Sequence, residues 1–342
     1  MTVARLEETD QPAFTAAGER LLGNLWDTSQ AGYEARWLGP ESPQRARGDL
    51  RLLVWTGGEG PEARMAIWLP SGGGESLFCL YARDAGLDAA VVAAFLAAVK
   101  AWCRGRGIAE ITGPMQFSTW HPYRFISRMG DTDYFPGEQK LPENYHADFL
   151  AAGFADIGEY ESTWVEDAAS TMDTGVAKAI EARMRGLDLT VLAGRDLPAL
   201  LPEIHRMSLE IFPGNFAYTP IALDEFLALA GDGKGADAVL VMARAGGRYA
   251  GFAYGYDIGS YRGRPDGPAR KTASLKTVGV HPDFRRLGLG FGLAYRFHRY
   301  WLERGHEAIL HAYMKTDNTS RDMSAKVVAR SIRTYALMKG AT

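Results

Sequence analysis

The same order of apolar runs occurs twice along this chain, and that repeat fixes most of what it can fold into. The first half opens on a strand-like stretch and a helical one over about residues 11–26. Apolar runs at 50–55 and 63–69 flank the turn-rich TGGEGPE, and a third follows at 76–81. Helical spacing marks 87–104. A short strand at 109–111, a helix near 145–152 and a strand at 157–165 complete the half. From residue 189 the pattern restarts, with a strand to 192 and a helix over 197–211. A hairpin at 239–244 and 249–257 turns on Gly246-Gly247. A strand at 274–280, a helix at 289–304 and a strand at 307–315 follow. A helix at 320–329 and a last strand at 331–337 close the pattern. Both halves read β-α-β-β-β-α-β-α-β, so a duplicated domain is expected. The expected class is α/β with a mixed sheet in each of two tandem domains, residues 1–167 and 188–342. A linker helix is expected within 168–187.

At 342 residues the chain has room for two cores of ordinary size. No apolar run approaches the roughly 18 residues that span a bilayer, and MTVARLEETDQPAF has no apolar secretion segment. The only two cysteines, Cys79 and Cys103, form no CxxC pair, which suits a reducing cytoplasm. Net charge is −3 but unevenly spread: residues 283–342 hold 11 Lys+Arg against 5 Asp+Glu. A basic region in an acidic protein points to an anionic ligand.

The motif that carries chemistry is Val278-Gly-Val-His-Pro-Asp-Phe-Arg-Arg-Leu-Gly-Leu-Gly290. It follows a β-rich run and opens a long helix. Glycines let the backbone approach a ligand, and the N–H groups of a helix start bind phosphate. Arg285 and Arg286 add forked donors. Together these residues suit a pyrophosphate. The segment lacks the Gly-Lys-Ser/Thr of a Walker A loop, and Leu293 stands where a dinucleotide fingerprint needs its third glycine. No His/Cys/Asp cluster has metal-ligand spacing, no Gly-x-Ser-x-Gly elbow occurs, and no interleaved basic-aromatic strand suggests nucleic acid.

Arg285-Arg-Leu-Gly-Leu-Gly290, with Val-x-Val-x-Pro before it, resembles the R/Q-x-x-G-x-G/A signature of the GNAT acetyltransferases. The strand order of residues 188–342 resembles that fold too. The first half looks like a degenerate second copy: its equivalent FCLYARDAGLDAAVVAAFL has no such signature. Its segment Gly113-Pro-Met-Gln-Phe-Ser-Thr-Trp120 resembles a loop of tandem proteins of this type. The resemblance implies acetyl-CoA or another acyl-CoA as donor, with no metal. It places Val278 and Val280 along the pantetheine arm, with one N–H there polarising the thioester carbonyl. Arg285, Arg286, Leu287, Gly288, Leu289 and Gly290 would hold the pyrophosphate, with Asn318 and Ser320 on the pantetheine side. The family's usual tyrosine acid falls here on Ser324 or Ala325, and no Glu or His precedes the cradle on its strand. His311 and Tyr313, two apart on the next strand, are expected on one face, the first as base and the second as acid toward sulfur. Tyr218, Tyr254, Tyr256 and Lys276 are expected around a small-molecule amine. Trp120, His121, Tyr123, Tyr134 and Phe135 would close that pocket. The expected reaction is acyl transfer from CoA to the amine. The alternatives are a donor held on an acyl carrier protein and a CoA-binding protein without catalysis.

Overall fold

The computed structural model describes residues 4–172, 175–230, 237–317 and 329–342. The chain forms two compact units. The first comprises residues up to Arg128, then Gln139–Glu159 and Tyr335–Thr342; the second comprises Met129–Glu138 and Tyr160–Thr334. Each unit thus contains a short stretch of chain from the far half, which the contiguous ranges 1–167 and 188–342 do not anticipate.

In the first unit, β1 (Arg5–Glu8) leads to α1 (Gln11–Leu22) and α2 (Thr28–Leu38). The hairpin strands β2 (Gly48–Gly57) and β3 (Gly60–Pro70) precede β4 (Leu77–Arg83), α3 (Ala89–Arg104) and β5 (Glu110–Gly113). Then come β6 (Phe125–Arg128), α4 (Asn144–Ala151) and β7 (Ala155–Val165), which passes into the second unit from Tyr160 on. The sheet runs β1-β2-β3-β4-β5. Helix α3 buries Val92, Phe95, Leu96, Val99 and Cys103 against it, at helical spacing. Helix α2 was not legible as an apolar stripe because Glu34 occupies part of its buried face. Glu34 and Arg64, 0% and 1% exposed, pair at 2.6 Å, and Arg64 Nη1 also donates to Phe14 O at 2.9 Å. This ion pair fills the space between α1, α2 and β3. A Cβ on Gly18 of α1 would lie 2.1 Å from the guanidinium carbon.

The second unit repeats the order. Helix α5 (Gly175–Met184) lies in the expected linker and packs on a later helix. Strand β8 (Asp188–Ala193), α6 (Leu201–Ile211) and α7 (Leu223–Ala230) follow. Then come β9 (Ala238–Ala245), β10 (Arg248–Tyr261), β11 (Arg270–Val280), α8 (Leu289–Leu302) and β12 (Ala308–Lys315). The sheet order is β7-β12-β11-β10-β9-β8, with β11 and β12 parallel and the other pairs antiparallel. One face carries α6 residues Ile204, Met207 and Ile211 over Phe252, Tyr256 and Leu310. The other carries α8 residues Leu289, Leu293 and Phe297 over Ala253, Leu275 and Ile309. The last strand, β13 (Ala329–Ala341), returns to the first unit, where Met338 to Ala341 pair with β5.

Residues Met129–Glu138 form an arm on the α6 face of the second unit. Arg333, fully buried, pairs with Glu138 at 3.1 Å and donates to Thr132 O and Asp133 O at 3.0 and 2.8 Å. Tyr261 Oη donates to Asp133 O at 3.0 Å. The arm's Phe135 then sits 5.8 Å from the Tyr313 ring. Among the described residues no helix is long and apolar enough to cross a membrane.

Candidate acyl-transfer site

Strands β11 and β12 pair only from Thr272–Ala308 to Leu275–His311. Both continue beyond that point, to Val280 and Lys315, without pairing to each other. Two irregularities part them. On β11, Tyr254 faces Thr277 and Gly255 faces Leu275, so Lys276 is an inserted residue, a β-bulge. On β12 the register with β7 breaks between His311 and Met314. The strands therefore open a wedge whose β11 wall keeps its β10 partner and presents its other backbone edge to the gap.

The chain leaves β11 straight into the glycine motif. His281 Nδ1 accepts from Asp283 N at 3.3 Å, and Pro282 begins a short 3₁₀ turn to Leu287. Gly288 then takes φ 67°, ψ 18° and caps α8. That left-handed conformation suits glycine. The N–H groups of the first helical turn point back at the mouth of the wedge, with the positive end of the helix dipole. Glycine also seats the helix: a Cβ on Gly292 would lie 2.1 Å from the Met184 sulfur of α5.

The arginines divide their work. Arg285 does not simply project: Nη2 donates to Ile211 O at 3.0 Å and Nε reaches Val280 O at 3.4 Å. It clasps the turn to the end of α6 and to β11. The Arg286 and Leu287 side chains lie outside what is described, as do Asn318, Ser320 and Ser324 entirely. Val278 and Val280 turn their side chains to the α8 face, while Leu289 is buried there and Gly290 begins the helix.

His311 and Tyr313 do not share a face, which corrects the expectation from their spacing. His311 Nε2 lies 2.9 Å from His298 Nε2 of α8, both rings buried. Tyr313 packs on the opposite, α6 face beside Phe135. The register break between His311 and Met314 disrupts the two-residue alternation that the sequence argument assumed. No sequence pattern announced His298; only packing brings it to His311. Burial pushes His311 down to about 4 and His298 well below the usual imidazole range, with His311 adding to the shift of His298. Both are neutral in the folded protein at pH 7, and one shares its Nε2 proton with the other. Unfolded histidine takes up a proton near pH 6.5. Stability at neutral pH is thus lost as pH falls from about 6.5 toward 4, because the unfolded chain binds the proton first. Denaturant midpoints across that window should fall in the native chain, and by clearly less in a His298→Phe, His311→Leu double variant.

On the α6 face, Lys276 Nζ sits 4.0 Å from the centre of the Tyr313 ring, so it reaches from one wall of the wedge to the other. Tyr254, on the neighbouring strand, is held as a neutral phenol, its pKa pushed up to about 12 by burial. Tyr256 is 6% exposed and belongs to the core. Tyr218 stands in the loop after α6, where Tyr218 N donates to Asn215 O at 3.2 Å. The same loop places Phe216 over Lys315 Nζ at 4.9 Å. Sequence reading passed over Phe216 and Lys315, since neither belongs to a motif.

The first unit has the corresponding strand-to-helix turn, between β4 and α3, but its donors are taken. Asp84 Oδ1 accepts from Gly86 N at 2.9 Å, and Asp88 Oδ1 caps α3 through Ala90 N at 2.7 Å. Carboxylates stand where a phosphate would need to be. Trp120, His121 and Tyr123 belong to this unit; His121 is buried against Trp37 and accepts from or donates to Tyr33 Oη at 2.7 Å. Only Tyr134 and Phe135 of that aromatic group lie in the second unit.

A parallel pair that splays beside a glycine-capped helix, between antiparallel strands, is the frame of a GNAT-like fold. Residues 201–324 match the model of the "Acetyltransferase (GNAT) family". That match lies within the second unit, and the whole length of the chain has the fold of the tandem GNAT proteins. A tandem GNAT protein from the clavulanic acid biosynthesis pathway superposes with a TM-score of 0.53 at 14% identity, covering 99% of this chain and 98% of that one. A GCN5-related N-acetyltransferase from Sphaerobacter thermophilus gives 0.51 at 10% identity, covering 99% and 95%. A glucosamine N-acetyltransferase region of a fungal multi-domain β-N-acetylglucosaminidase gives 0.57 at 16% identity, covering 99% of this chain and 38% of that one. No curated protein matches the sequence.

Proposed function

We propose that the second unit moves an acyl group from a CoA thioester to the amine of a small molecule by direct attack. The observation that carries this reading is the wedge between β11 and β12, opening beside the helix start at Gly288. The residues present suit the donor. The backbone edge from Lys276 to Val280 offers strand-like pairing to a pantetheine arm, and Gly288 to Gly290 with the first turn of α8 offer N–H groups to a pyrophosphate. Bound there, the donor supplies an activated carbonyl on a sulfur leaving group. A backbone N–H near Val278 stabilises the charge that grows on the carbonyl oxygen as the amine attacks. Tyr313 delivers its phenolic proton to sulfur as the carbon–sulfur bond breaks, and its phenolate takes up the proton that the amine nitrogen sheds as the amide forms. His311 has no place in this step, since its ring is turned to α8.

The first unit is assigned no donor site: Asp84 and Asp88 hold its helix start. The two buried free cysteines suit a cytoplasmic protein. A carrier-protein donor is the second reading, favoured by the surplus of cations in residues 283–342. One acyl group offered on CoA and on a carrier, at low and high salt, separates the two. Preference for the carrier by about a hundredfold would overturn the CoA assignment. Failure to consume thioester with any amine, while CoA still binds, would leave a binding protein.

Tyr313→Phe is expected to lower kcat by about 10²-fold, the contribution of a positioned acid, with CoA affinity by calorimetry near that of the native chain. A rate within about twofold would remove Tyr313 from the reaction.

A further inference from the structure

Between α5 and α8 lies a cleft of about 200 Å³, beside the turn of helix that follows the Gly288 cap. Gly292 lines it, and Gly292 N donates to Gly288 O at 3.4 Å. Ile180, Met184 and Leu189 give it an apolar wall, and Arg185 and Arg296 stand among them. An apolar cavity of about 150 Å³ admits a benzene ring, so this cleft has room for a flat heterocycle. Helix α5 stands outside the element order that the two halves share, so one wall of the cleft belongs to the linker. Among the described residues neither guanidinium makes a hydrogen bond or an ion pair, and Arg296 Nε is buried without an acceptor. A buried donor without an acceptor is costly. The chain's fully buried arginines are matched with carboxylates: Arg64 with Glu34, and Arg333 with Glu138.

Two forked donors beside an apolar slot suit a flat ring that carries a phosphate. The donor has such an end: beyond its pyrophosphate, CoA carries adenosine with a 3′-phosphate. Helical rise puts Gly292 about 6 Å and Arg296 about 12 Å along the axis from Gly288, so a nucleoside leaving a pyrophosphate at the cap can reach the cleft. Resting on the acyl-transfer reading above, we infer that the cleft seats the adenine of the donor and that Arg185 and Arg296 hold its 3′-phosphate. Strand β11 and the Gly288 cap then bind the arm and the pyrophosphate, and the linker helix helps to bind the nucleoside. A carrier-borne arm ends at one phosphodiester and uses none of this cleft, so the cleft adds affinity for free CoA alone. A free adenosine nucleotide shares the chemistry and is the other source of such a ligand.

Calorimetry on the full-length protein tests this without turnover. The native chain should bind CoA at least tenfold more tightly than 3′-dephospho-CoA, and adenosine 3′,5′-bisphosphate should compete with CoA. In an Arg185→Gln, Arg296→Gln double variant that preference should fall near one, with 3′-dephospho-CoA bound as in the native chain. Ile180→Trp, which fills the cleft, should weaken both forms of CoA and leave 4′-phosphopantetheine, which has no adenosine, unchanged. Equal affinity of the native chain for CoA and 3′-dephospho-CoA, or a preference that survives in the double variant, overturns the inference. Adenosine 3′,5′-bisphosphate that binds through these arginines without displacing CoA also overturns it, since the cleft would then serve a free nucleotide. In each of these cases, CoA binding that is lost in Gly288→Asp leaves the acyl-transfer reading standing. If CoA itself does not bind the native chain, both this inference and that reading fall.

Discussion

Gly288→Asp keeps its fold and loses CoA binding. Aspartate visits the left-handed region more readily than most residues and caps helices well, so the start of α8 survives the change. Its carboxylate would occupy the N–H groups that a pyrophosphate needs and add a like charge beside it. At about 4 Å that repulsion is about 4 kcal/mol, a factor near 10³ in affinity. The substitution copies into the second unit what Asp88 already does at α3 of the first. Calorimetry should show no measurable CoA binding, and the melting temperature should stay close to that of the native chain. Native affinity in this variant would mean that CoA does not use the α8 start.

The second large effect is on stability. Glu138→Ala leaves Arg333 buried without its carboxylate, and breaking a buried pair from one side costs about 3–5 kcal/mol. Denaturant unfolding reads that loss directly. A Glu138→Leu, Arg333→Met double variant should recover much of it, since replacing both partners with apolar groups is often neutral. The arm also seats Phe135 behind Tyr313. Thus the single variant should lower turnover under conditions where it is still folded. Equal stability of Glu138→Ala and the native chain would show that the carbonyls of Thr132 and Asp133 suffice for Arg333.

The repeated order of elements was legible because α1, α3, α6 and α8 carry apolar residues at helical spacing, and their strands alternate or run apolar. The start of α8 was legible for a local reason: Pro282 and Gly288 each require a particular backbone shape, and both sit within seven residues. Helix α2 was hidden by Glu34, whose burial depends on Arg64, thirty residues away. Helix α7, eight residues long, gives too few turns for a period to show. The faces of His311 and Tyr313 were misread because alternation holds only while the register is unbroken. The exchanged segments Met129–Glu138 and Tyr335–Thr342 could not be read at all, since their assignment depends on pairs such as Arg333 with Glu138 and Met338 with Gly113.

That exchange has a consequence for biosynthesis. Strand β5 is made early, yet Met338 to Ala341, which pair with it, leave the ribosome roughly 230 residues later. Until then one side of β5 presents bare N–H and C=O groups to whatever the cell offers. At about 5–20 residues per second the interval lasts tens of seconds or less. The nascent first unit is in that interval an open template, and a message truncated before residue 335 would leave it so. Holding chaperones, or slow codons placed after the first half, would act on this window and not on the finished protein.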